Sequence, residues 1–188
     1  MNTVPQDGVP LSERDFRNYF LLLIAAGNET TRHTISHAML ALLQHPQALA
    51  RPQSEPGLVP VAAEEFLRWA SPGYHFRRTA RRDVELRGQL IHAGDKVVVW
   101  FASGNRDEEV FGNPVDFDIT RQPNDHVTFG KGGPHFCLGN LLARLELRIM
   151  FTELLRRLDT IELTSPPEYV RSNFIHGVKR LPVRATAR

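Results

Sequence analysis

The first part of the chain carries apolar residues at the spacing of one long amphipathic helix. Between Asp15 and about His45 these positions are Phe16, Tyr19, Phe20, Leu23, Ile24, Ile35, Met39, Leu42 and Leu43. Steps of three and four residues match the period of an α-helix. Ser12 is followed three residues later by the carboxylate of Asp15, the pattern of a capping box. We therefore expect one helix that begins here and is ended by Pro46.

The middle of this helix departs from the pattern. Residues 27–31 read Gly-Asn-Glu-Thr-Thr, which combines poor helix formers with a carboxylate where the apolar stripe should be deepest. A local rule broken in this way indicates either function or strain.

The period changes after a second, shorter helix. An amphipathic pattern over Val61–Trp69 is stopped by Pro72 and Gly73. Three alternating or β-branched runs follow, at Arg78–Leu86, Gln89–Ala93 and Lys96–Phe101. They predict a small antiparallel sheet.

The second half of the chain ends in a helix and a hairpin. Residues 103–136 show almost no periodicity, and a segment of that length inside a compact domain indicates a functional site. Beyond Cys137 one apolar helical face runs to about Leu158, formed by Leu138, Leu141, Leu142, Leu145 and Ile149. The tail runs Val170–Ile175 and Val178–Val183 predict a hairpin. Together these elements predict a mainly helical α+β fold.

Composition excludes several classes of protein. Lys and Arg number 23 against 21 Asp and Glu, so the formal net charge of +2 does not favour nucleic-acid binding. The one cysteine rules out an internal disulfide and a Cys-rich zinc module, and it favours a reducing, cytoplasmic compartment. The longest apolar run, residues 19–26, is shorter than a bilayer span.

The cysteine lies where a loop rich in glycine meets the predicted helix. The segment from Phe129 to Gly139 reads Phe-Gly-Lys-Gly-Gly-Pro-His-Phe-Cys-Leu-Gly. A helix N-terminus favours a thiolate, and glycines let the backbone approach whatever the sulfur binds. Cys137 is thus a candidate ligand or nucleophile. The alternative is a buried, inert cysteine.

This loop resembles the cysteine-ligand loop of the haem-thiolate monooxygenases, the cytochrome P450s, through Phe-x-x-Gly followed by His-x-Cys-x-Gly. Other segments agree in the order that the family has them. Ala26–Thr31 resembles its oxygen-activation motif, Glu65–Arg68 its Glu-x-x-Arg pair, and Asn113–Arg121 the loop that supplies a third charged partner. The resemblance covers nearly the whole chain and implies the C-terminal half of that fold, as a single partial domain over residues 1–188.

The resemblance implies haem b as cofactor, with Cys137 as its proximal iron ligand. His135 and Arg78 would bond the haem propionates, and Phe129 would pack beside the sulfur. The further cofactor contacts in the loop are Gly130 and Gly139. The residues alone leave His135 open as a surface histidine and Arg78 as a strand-edge charge.

Two further groups of residues receive roles from the resemblance. Glu29 and Thr30 would be catalytic, as a proton relay to oxygen, although Thr30 also has the option of bonding back to its own helix. Glu65, Arg68 and Arg121 would form a buried network that holds the cysteine loop. Spacing alone leaves the first two as an exposed pair on one helix face.

The subfamily hints concern substrate and partner. Residues 28–31, 68–72 and 171–177 are similar to bacterial members that oxidise steroids or branched lipids, in which the tail hairpin reaches the substrate pocket. Such relatives draw electrons from a ferredoxin. Lys131, Arg144 and Arg148 could form a basic docking face for it, or be solvated helix charges. The sequence thus predicts haem-dependent monooxygenation of an apolar, steroid- or lipid-like substrate.

The chain departs from the family in two respects. One residue more than the commonest spacing separates Phe129 from Cys137, and nothing in the chain matches the part that precedes the central helix. Without that part, Phe20, Leu23 and their apolar neighbours should be exposed. We expect this chain alone to fold poorly or to bind haem weakly.

Two alternatives stay open at this point. One is a truncated, catalytically inactive remnant that binds haem or is merely structural. The other is a non-haem metal site, because Glu29, His33 and His37 follow one another at steps of four residues on one helix face.

Overall fold

A computed structural model describes residue 8 and residues 10–188 of the chain. The helices are α1 (Glu13–Gln44), α2 (Pro46–Ser54), α3 (Val59–Ala70), α4 (Phe101–Gly104) and α5 (Asn140–Arg157), with a 3-10 turn at Pro56–Leu58. The strands are β1 (His75–Thr79), β2 (Val84–Leu86), β3 (Gln89–Ile91), β4 (Lys96–Trp100), β5 (Leu158–Leu163), β6 (Glu168–Tyr169), β7 (Val178–Arg180) and β8 (Val183–Ala187). The mainly helical α+β prediction is confirmed.

The long helix α1 has the ends that its sequence predicts. Ser12 is its N-cap, and the Ser12 hydroxyl oxygen accepts the backbone N–H of Asp15 at 3.1 Å. The helix ends at Gln44, where the backbone N–H of His45 donates to the carbonyl of Ala41 at 3.0 Å. Pro46 opens α2 instead of merely stopping α1, since the first helical position tolerates proline.

In the part of the chain that the structure describes, the strands form four separate antiparallel pairs, which are β1 with β4, β2 with β3, β5 with β8, and β6 with β7. The predicted single strand Arg78–Leu86 is wrong, because β1 and β2 belong to different sheets. The turn between them is held by other bonds. Ala80 donates its N–H to Asp95 O at 2.9 Å, and the Asp83 carboxylate accepts Ala93 N–H at 2.8 Å.

The tail hairpin is shorter than predicted. Its first strand lies earlier in the chain, whereas its second begins at Val178 as predicted. Strand β6 pairs with β7, whereas most of the predicted strand Val170–Ile175 is irregular. Ile175 instead forms an isolated bridge to Gly73. The last strand, β8, pairs with β5, a pairing between distant segments that periodicity does not reveal.

The core lies between the C-terminal part of α1, α3 and α5. Its buried members are Ala38, Met39, Ala41, Leu42, Val59, Ala62, Ala63, Phe66, Leu67, Phe117, Ile119, Leu147, Phe151 and Leu155. The rings of Phe66 and Phe151 lie 4.5 Å apart, which joins α3 to α5. The buried residues of α1 all fall between Thr31 and Leu42. The core therefore uses only the second half of this helix.

The other half of α1 is exposed, as the sequence predicts. The side chains of Phe20 and Leu23 are 57% and 46% exposed. Helix α5 likewise buries Leu147, Phe151 and Leu155 but exposes the opposite apolar face, formed by Leu141, Leu142, Leu145 and Ile149. Leu138, which the pattern assigns to this face, is exposed but precedes the helix. Two apolar surfaces are therefore open to solvent. Among the described residues, no helix is both long and apolar enough to cross a bilayer.

Candidate functional site

The cysteine loop is closed by backbone bonds and by left-handed glycines. Cys137 is half-buried and donates its backbone N–H to the carbonyl of Phe129 at 2.9 Å. Gly130, Gly132 and Gly133 have φ values of 78°, 69° and 74°. A side chain is strained at these angles, so the loop requires glycine at these positions. The sequence from Phe129 to Cys137 is thereby fixed as a compact turn.

The position of Cys137 relative to the helix differs slightly from expectation. Helix α5 begins at Asn140, with Gly139 as its N-cap, so Cys137 precedes the helix instead of starting it. Its carbonyl is nevertheless bonded to the first turn, because Asn140 donates to it through side-chain Nδ2 at 2.8 Å and backbone N at 3.3 Å. The helix start thus holds the cysteine backbone.

The two predicted propionate contacts, Arg78 and His135, are exposed side chains. Arg78 lies on β1 and its Nη1 donates to the Arg77 carbonyl at 3.0 Å. His135 is exposed in the cysteine loop. Within residues 10–188 neither side chain forms an ion pair. Both are therefore available to an external anion, and their role toward a cofactor stays a prediction.

The donor set suits haem. Haem brings one iron, two carboxylates and a wide apolar ring, and it needs an axial ligand, cations and apolar walls. The chain supplies one thiol, the exposed guanidinium of Arg78, the exposed imidazole of His135, and the open apolar surfaces of α1 and α5. The residues present therefore fit this group.

Glu29 and Thr30 lie in the first, less buried part of α1, and each is bonded to its own helix. The Thr30 hydroxyl donates to the Ala26 carbonyl at 2.7 Å, which is the back-bonding option. The Glu29 carboxylate lies 3.0 Å from Arg32 Nη2 and 3.1 Å from His33 Nε2. Its side chain is 49% exposed, so solvent reaches it. Their catalytic role stays a prediction.

The alternative of a metal at Glu29, His33 and His37 is wrong for the part of the chain that the structure describes. No group of three candidate ligands is placed to hold a metal there. His33 pairs with Glu29, but the Nε2 of His37 lies 3.2 Å from the carbonyl of His176. The tail therefore occupies the place that a third ligand would need.

Glu65, Arg68 and Arg121 come together in the interior. Glu65 and Arg68 are both 0% exposed and form a bidentate pair with two bonds of 2.7 Å. Arg121 Nε lies 3.3 Å from Glu65 Oε2. Arg68 also donates to the carbonyls of Asn105 and Pro114 at 2.7 and 2.8 Å. One ion pair thereby fixes the irregular segment that precedes the cysteine loop.

Asn105 is a structural residue that sequence reasoning missed. It is fully buried, and its Nδ2 donates to the hydroxyls of Ser71 and Thr128 at 2.8 and 2.9 Å. Its Oδ1 accepts the backbone N–H of Val127 at 2.7 Å. A single asparagine in a segment without periodicity carries no signal of such a role. It ties the end of α3 to the start of the cysteine loop.

Glu64 joins α3 to α5 through Arg144, and to the irregular segment before the cysteine loop through His126. Burial raises the pKa of Glu64, but hydrogen bonds from these partners outweigh it and lower that pKa to about 2. The sequence leaves Arg144, together with Lys131 and Arg148, open as part of a basic docking face or as a solvated helix charge. Arg144 is instead committed to Glu64, whereas the other two are exposed.

A cluster of histidines lies where the tail meets α1. The spacing of His33 and His37 places both on one helix face, but no local pattern indicates that His176 joins them. The rings of His37 and His176 are 3.9 Å apart, and the Nδ1 of His176 lies 2.7 Å from the carbonyl of Ala70. Burial, and then the charge of His176, lower the pKa of His37 to about 4. A Cβ on Gly177 would meet His33 Nε2 at 2.9 Å, so only glycine permits this approach.

Comparison with known proteins decides the family. The family model for cytochrome P450 matches residues 2–182. The chain belongs to the cytochrome P450 family. Members of this family are haem-thiolate monooxygenases that bind haem b.

Individual cytochrome P450s resemble the chain over nearly all of its length. A methyl-branched lipid omega-hydroxylase of Mycobacterium bovis is 51% identical over 178 residues, which cover 94% of this chain and 42% of that protein. A steroid C26-monooxygenase of the same species is 40% identical and covers 97% and 42%. The chain thus spans less than half the length of these relatives.

A solved structure agrees with these relatives. A cytochrome P450 of Mycobacterium marinum in complex with pseudoionone superposes with a TM-score of 0.91 at 48% identity. The match covers 97% of this chain and 44% of that chain. The prediction that the chain corresponds to part of this fold is confirmed.

Proposed function

We propose that the chain supplies the cysteine-ligand half of a haem-dependent monooxygenase that hydroxylates an apolar, lipid- or steroid-like substrate. The observation that carries the proposal is the cysteine loop. The N–H of Cys137 is bonded to Phe129 O and its carbonyl to Asn140, with left-handed glycines between. Such a backbone presents a sulfur ligand at a fixed place.

The roles that follow from this proposal belong to named atoms of the chain. Cys137 Sγ is the iron ligand, and the Arg78 guanidinium and the His135 ring bind the two propionates. Bound haem supplies the iron at which dioxygen is activated for insertion into a C–H bond.

Glu29 and Thr30 move the proton. The Glu29 carboxylate takes protons from solvent, because half of its side chain is exposed. The Thr30 hydroxyl holds its proton against the Ala26 carbonyl and must rotate away from it in order to deliver the proton. The chain thereby provides a proton path that stays interrupted as long as the Thr30 hydroxyl donates to Ala26.

The substrate class rests on the relatives and on the tail. The chain is more similar to the methyl-branched lipid hydroxylase than to the steroid monooxygenase, at 51% against 40% identity. Phe174 in the tail contacts Phe76, with ring centroids 5.5 Å apart, and remains 41% exposed. We assign this apolar tail segment to the substrate pocket, and we favour a branched lipid over a steroid.

A ferredoxin is the proposed electron donor. Lys131 and Arg148 are exposed cations close in sequence to the cysteine, and they suit an acidic partner. Arg144 is left out of this docking surface because Glu64 neutralises it.

The experiment is an absorbance spectrum of the reduced, haem-supplied chain under carbon monoxide. It is recorded for the chain alone and for the chain joined to the N-terminal part of the Mycobacterium bovis lipid hydroxylase. A strongly red-shifted Soret band is expected in the joined protein and is lost in Cys137→Ala. Lys131→Ala is the matched control and keeps the band. A band that survives Cys137→Ala would contradict the proposal.

A second candidate is a haem-binding remnant without turnover. It is favoured by the open apolar surfaces of α1 and α5, which are unusual for a self-sufficient enzyme. The two candidates differ in one measurement. With a ferredoxin, its reductase and oxygen, the enzyme forms hydroxylated lipid in proportion to electrons consumed, whereas the remnant shows the Soret band and forms no product.

A further inference from the structure

We propose that Arg144 is a positioning residue that sets the backbone of Cys137 through Asn140 and Phe129, while Glu64 and His126 hold it in place. The inference deepens the proposed function, because it rests on Cys137 as the iron ligand. Its first test uses the thiol alone and needs no haem.

The anchor is the carboxylate of Glu64. Arg144 Nε donates to Glu64 Oε1 at 2.8 Å, and Nη2 donates to Oε2 at 2.9 Å. His126 Nε2 lies 3.1 Å from the same Oε2, and its side chain is almost fully buried. A bidentate pair fixes the plane of a guanidinium as well as its position. Arg144 therefore has little freedom to rotate.

The first arm runs through Asn140. Arg144 Nη1 donates to Asn140 Oδ1 at 3.0 Å, and Asn140 Nδ2 donates to the Cys137 carbonyl at 2.8 Å. A guanidinium has donors only, so it must face the oxygen of the amide. The amide then has to turn its NH₂ toward Cys137. Arg144 thereby selects the orientation of Asn140 that holds the cysteine carbonyl.

The second arm runs through Phe129. The Arg144 guanidinium carbon lies 4.6 Å from the centre of the Phe129 ring, a cation–π contact. The Phe129 carbonyl accepts the backbone N–H of Cys137 at 2.9 Å. Both backbone polar groups of Cys137 are thus bonded to residues that Arg144 touches.

Lysine could not replace arginine here. The three contacts use Nε, Nη1 and Nη2 of one rigid plane, together with the face of that plane. An ammonium is a point charge and can satisfy Glu64 but not the other two contacts at once.

The test measures how fast Cys137 reacts with a maleimide in the folded chain. It is the only cysteine, so the rate reports on one site. The key variant is Asn140→Asp, which still accepts a bond from Arg144 but cannot donate to the Cys137 carbonyl. A carboxylate in the first turn of α5 also favours the helix. We expect the rate to rise about fivefold, while the urea midpoint stays constant or increases.

Arg144→Lys is expected to raise the maleimide rate by a similar factor. The double variant, Asn140→Asp with Arg144→Lys, should react no faster than either single variant, because both changes break the same series of contacts. Arg148→Lys is the matched control, since Arg148 is exposed one turn further along α5. It should leave the rate unchanged. An unchanged rate in Asn140→Asp, or rates that merely follow the urea midpoint, would overturn the proposal.

The two proposals fail separately. If Cys137 does not bind iron, the joined protein without substitutions shows no carbon monoxide band. The maleimide rates of the Asn140 and Arg144 variants are then still non-additive. If Arg144 does not position the loop, the maleimide rates of these variants do not depend on one another. The joined protein without substitutions still shows its carbon monoxide band.

Discussion

At the scale of single residues, the buried pair of Glu65 and Arg68 matters most for stability. Arg68→Ala leaves the Glu65 carboxylate buried with fewer partners, and it also removes bonds to the carbonyls of Asn105 and Pro114. The free energy of unfolding should fall by about 3–5 kcal/mol. Urea denaturation followed by circular dichroism measures it.

The matched control for Arg68→Ala is Arg184→Ala. Arg184 pairs with Glu162 at 3.0 Å, but both side chains are mostly exposed. Its removal should cost less than about 1 kcal/mol. An equal decrease in the free energy of unfolding in the two variants would show that burial does not determine how much an ion pair stabilises the fold.

Residue roles differ in how far the sequence reveals them. The contact of Glu65 with Arg68 follows from a spacing of three on one helix, but its burial depends on chain segments 37 and 46 residues away. Arg144 and Glu64 are 80 residues apart, and Arg144 looks like any surface charge on its helix. Side-chain bonds over such separations depend on the packing of the whole fold, which no local pattern encodes.

At the scale of elements, the contact between the tail and α1 depends on pH. Folding lowers the pKa of His37 to about 4, and His176 is also lowered by burial. Between pH 6.5 and 4 the unfolded chain therefore binds more protons than the folded chain. The contribution of His37 to the free energy of unfolding is fully present above its unfolded pKa of 6.5, and it is lost as the pH falls toward 4. For His37 the loss is roughly 2–3 kcal/mol.

Urea midpoints at pH 7 and pH 5 test this dependence. The groups that face His37 are His176 and Tyr169 of the tail, His33 of its own helix, and Arg106. His37→Gln keeps a donor for the His176 carbonyl and should reduce the difference in urea midpoint between pH 7 and pH 5. The control is His92→Gln at an exposed turn, which should leave the change as it is. A slope of opposite sign would refute the assignment.

Elements with local signals were predicted well, and elements that depend on distant partners were not. The ends of α1 follow from Ser12 and Pro46, which act on their immediate neighbours. The strand predicted over Val170–Ile175 fails because Ile175 pairs with Gly73, about a hundred positions earlier in the chain. Alternation shows that a segment can form a strand, but it does not name the partner.

At the scale of the whole molecule, the open apolar surfaces govern behaviour in solution. Leu141 and Leu145 lie on the exposed face of α5, whereas Leu147 is fully buried on the other. In the absence of haem we expect the chain to self-associate through the exposed face. Leu141→Lys with Leu145→Lys should shift it toward the monomer in sedimentation velocity without lowering the urea midpoint.

Leu147→Ala is the contrasting variant for that experiment. It should lower the free energy of unfolding by about 2–5 kcal/mol and leave the exposed face unchanged. A chain that is monomeric before any substitution would contradict the expectation of association.

The two neighbouring glutamates of α3 have a consequence for how this sequence can change over evolution. Glu64 serves Arg144 and His126, while Glu65 serves Arg68 and Arg121. Successive helical positions differ by about 100° around the axis, so one register places both carboxylates correctly. A single inserted or deleted codon inside α3 would turn both away from their partners together. Length variation in this gene should therefore be tolerated in the turns around α3 and be purged within it.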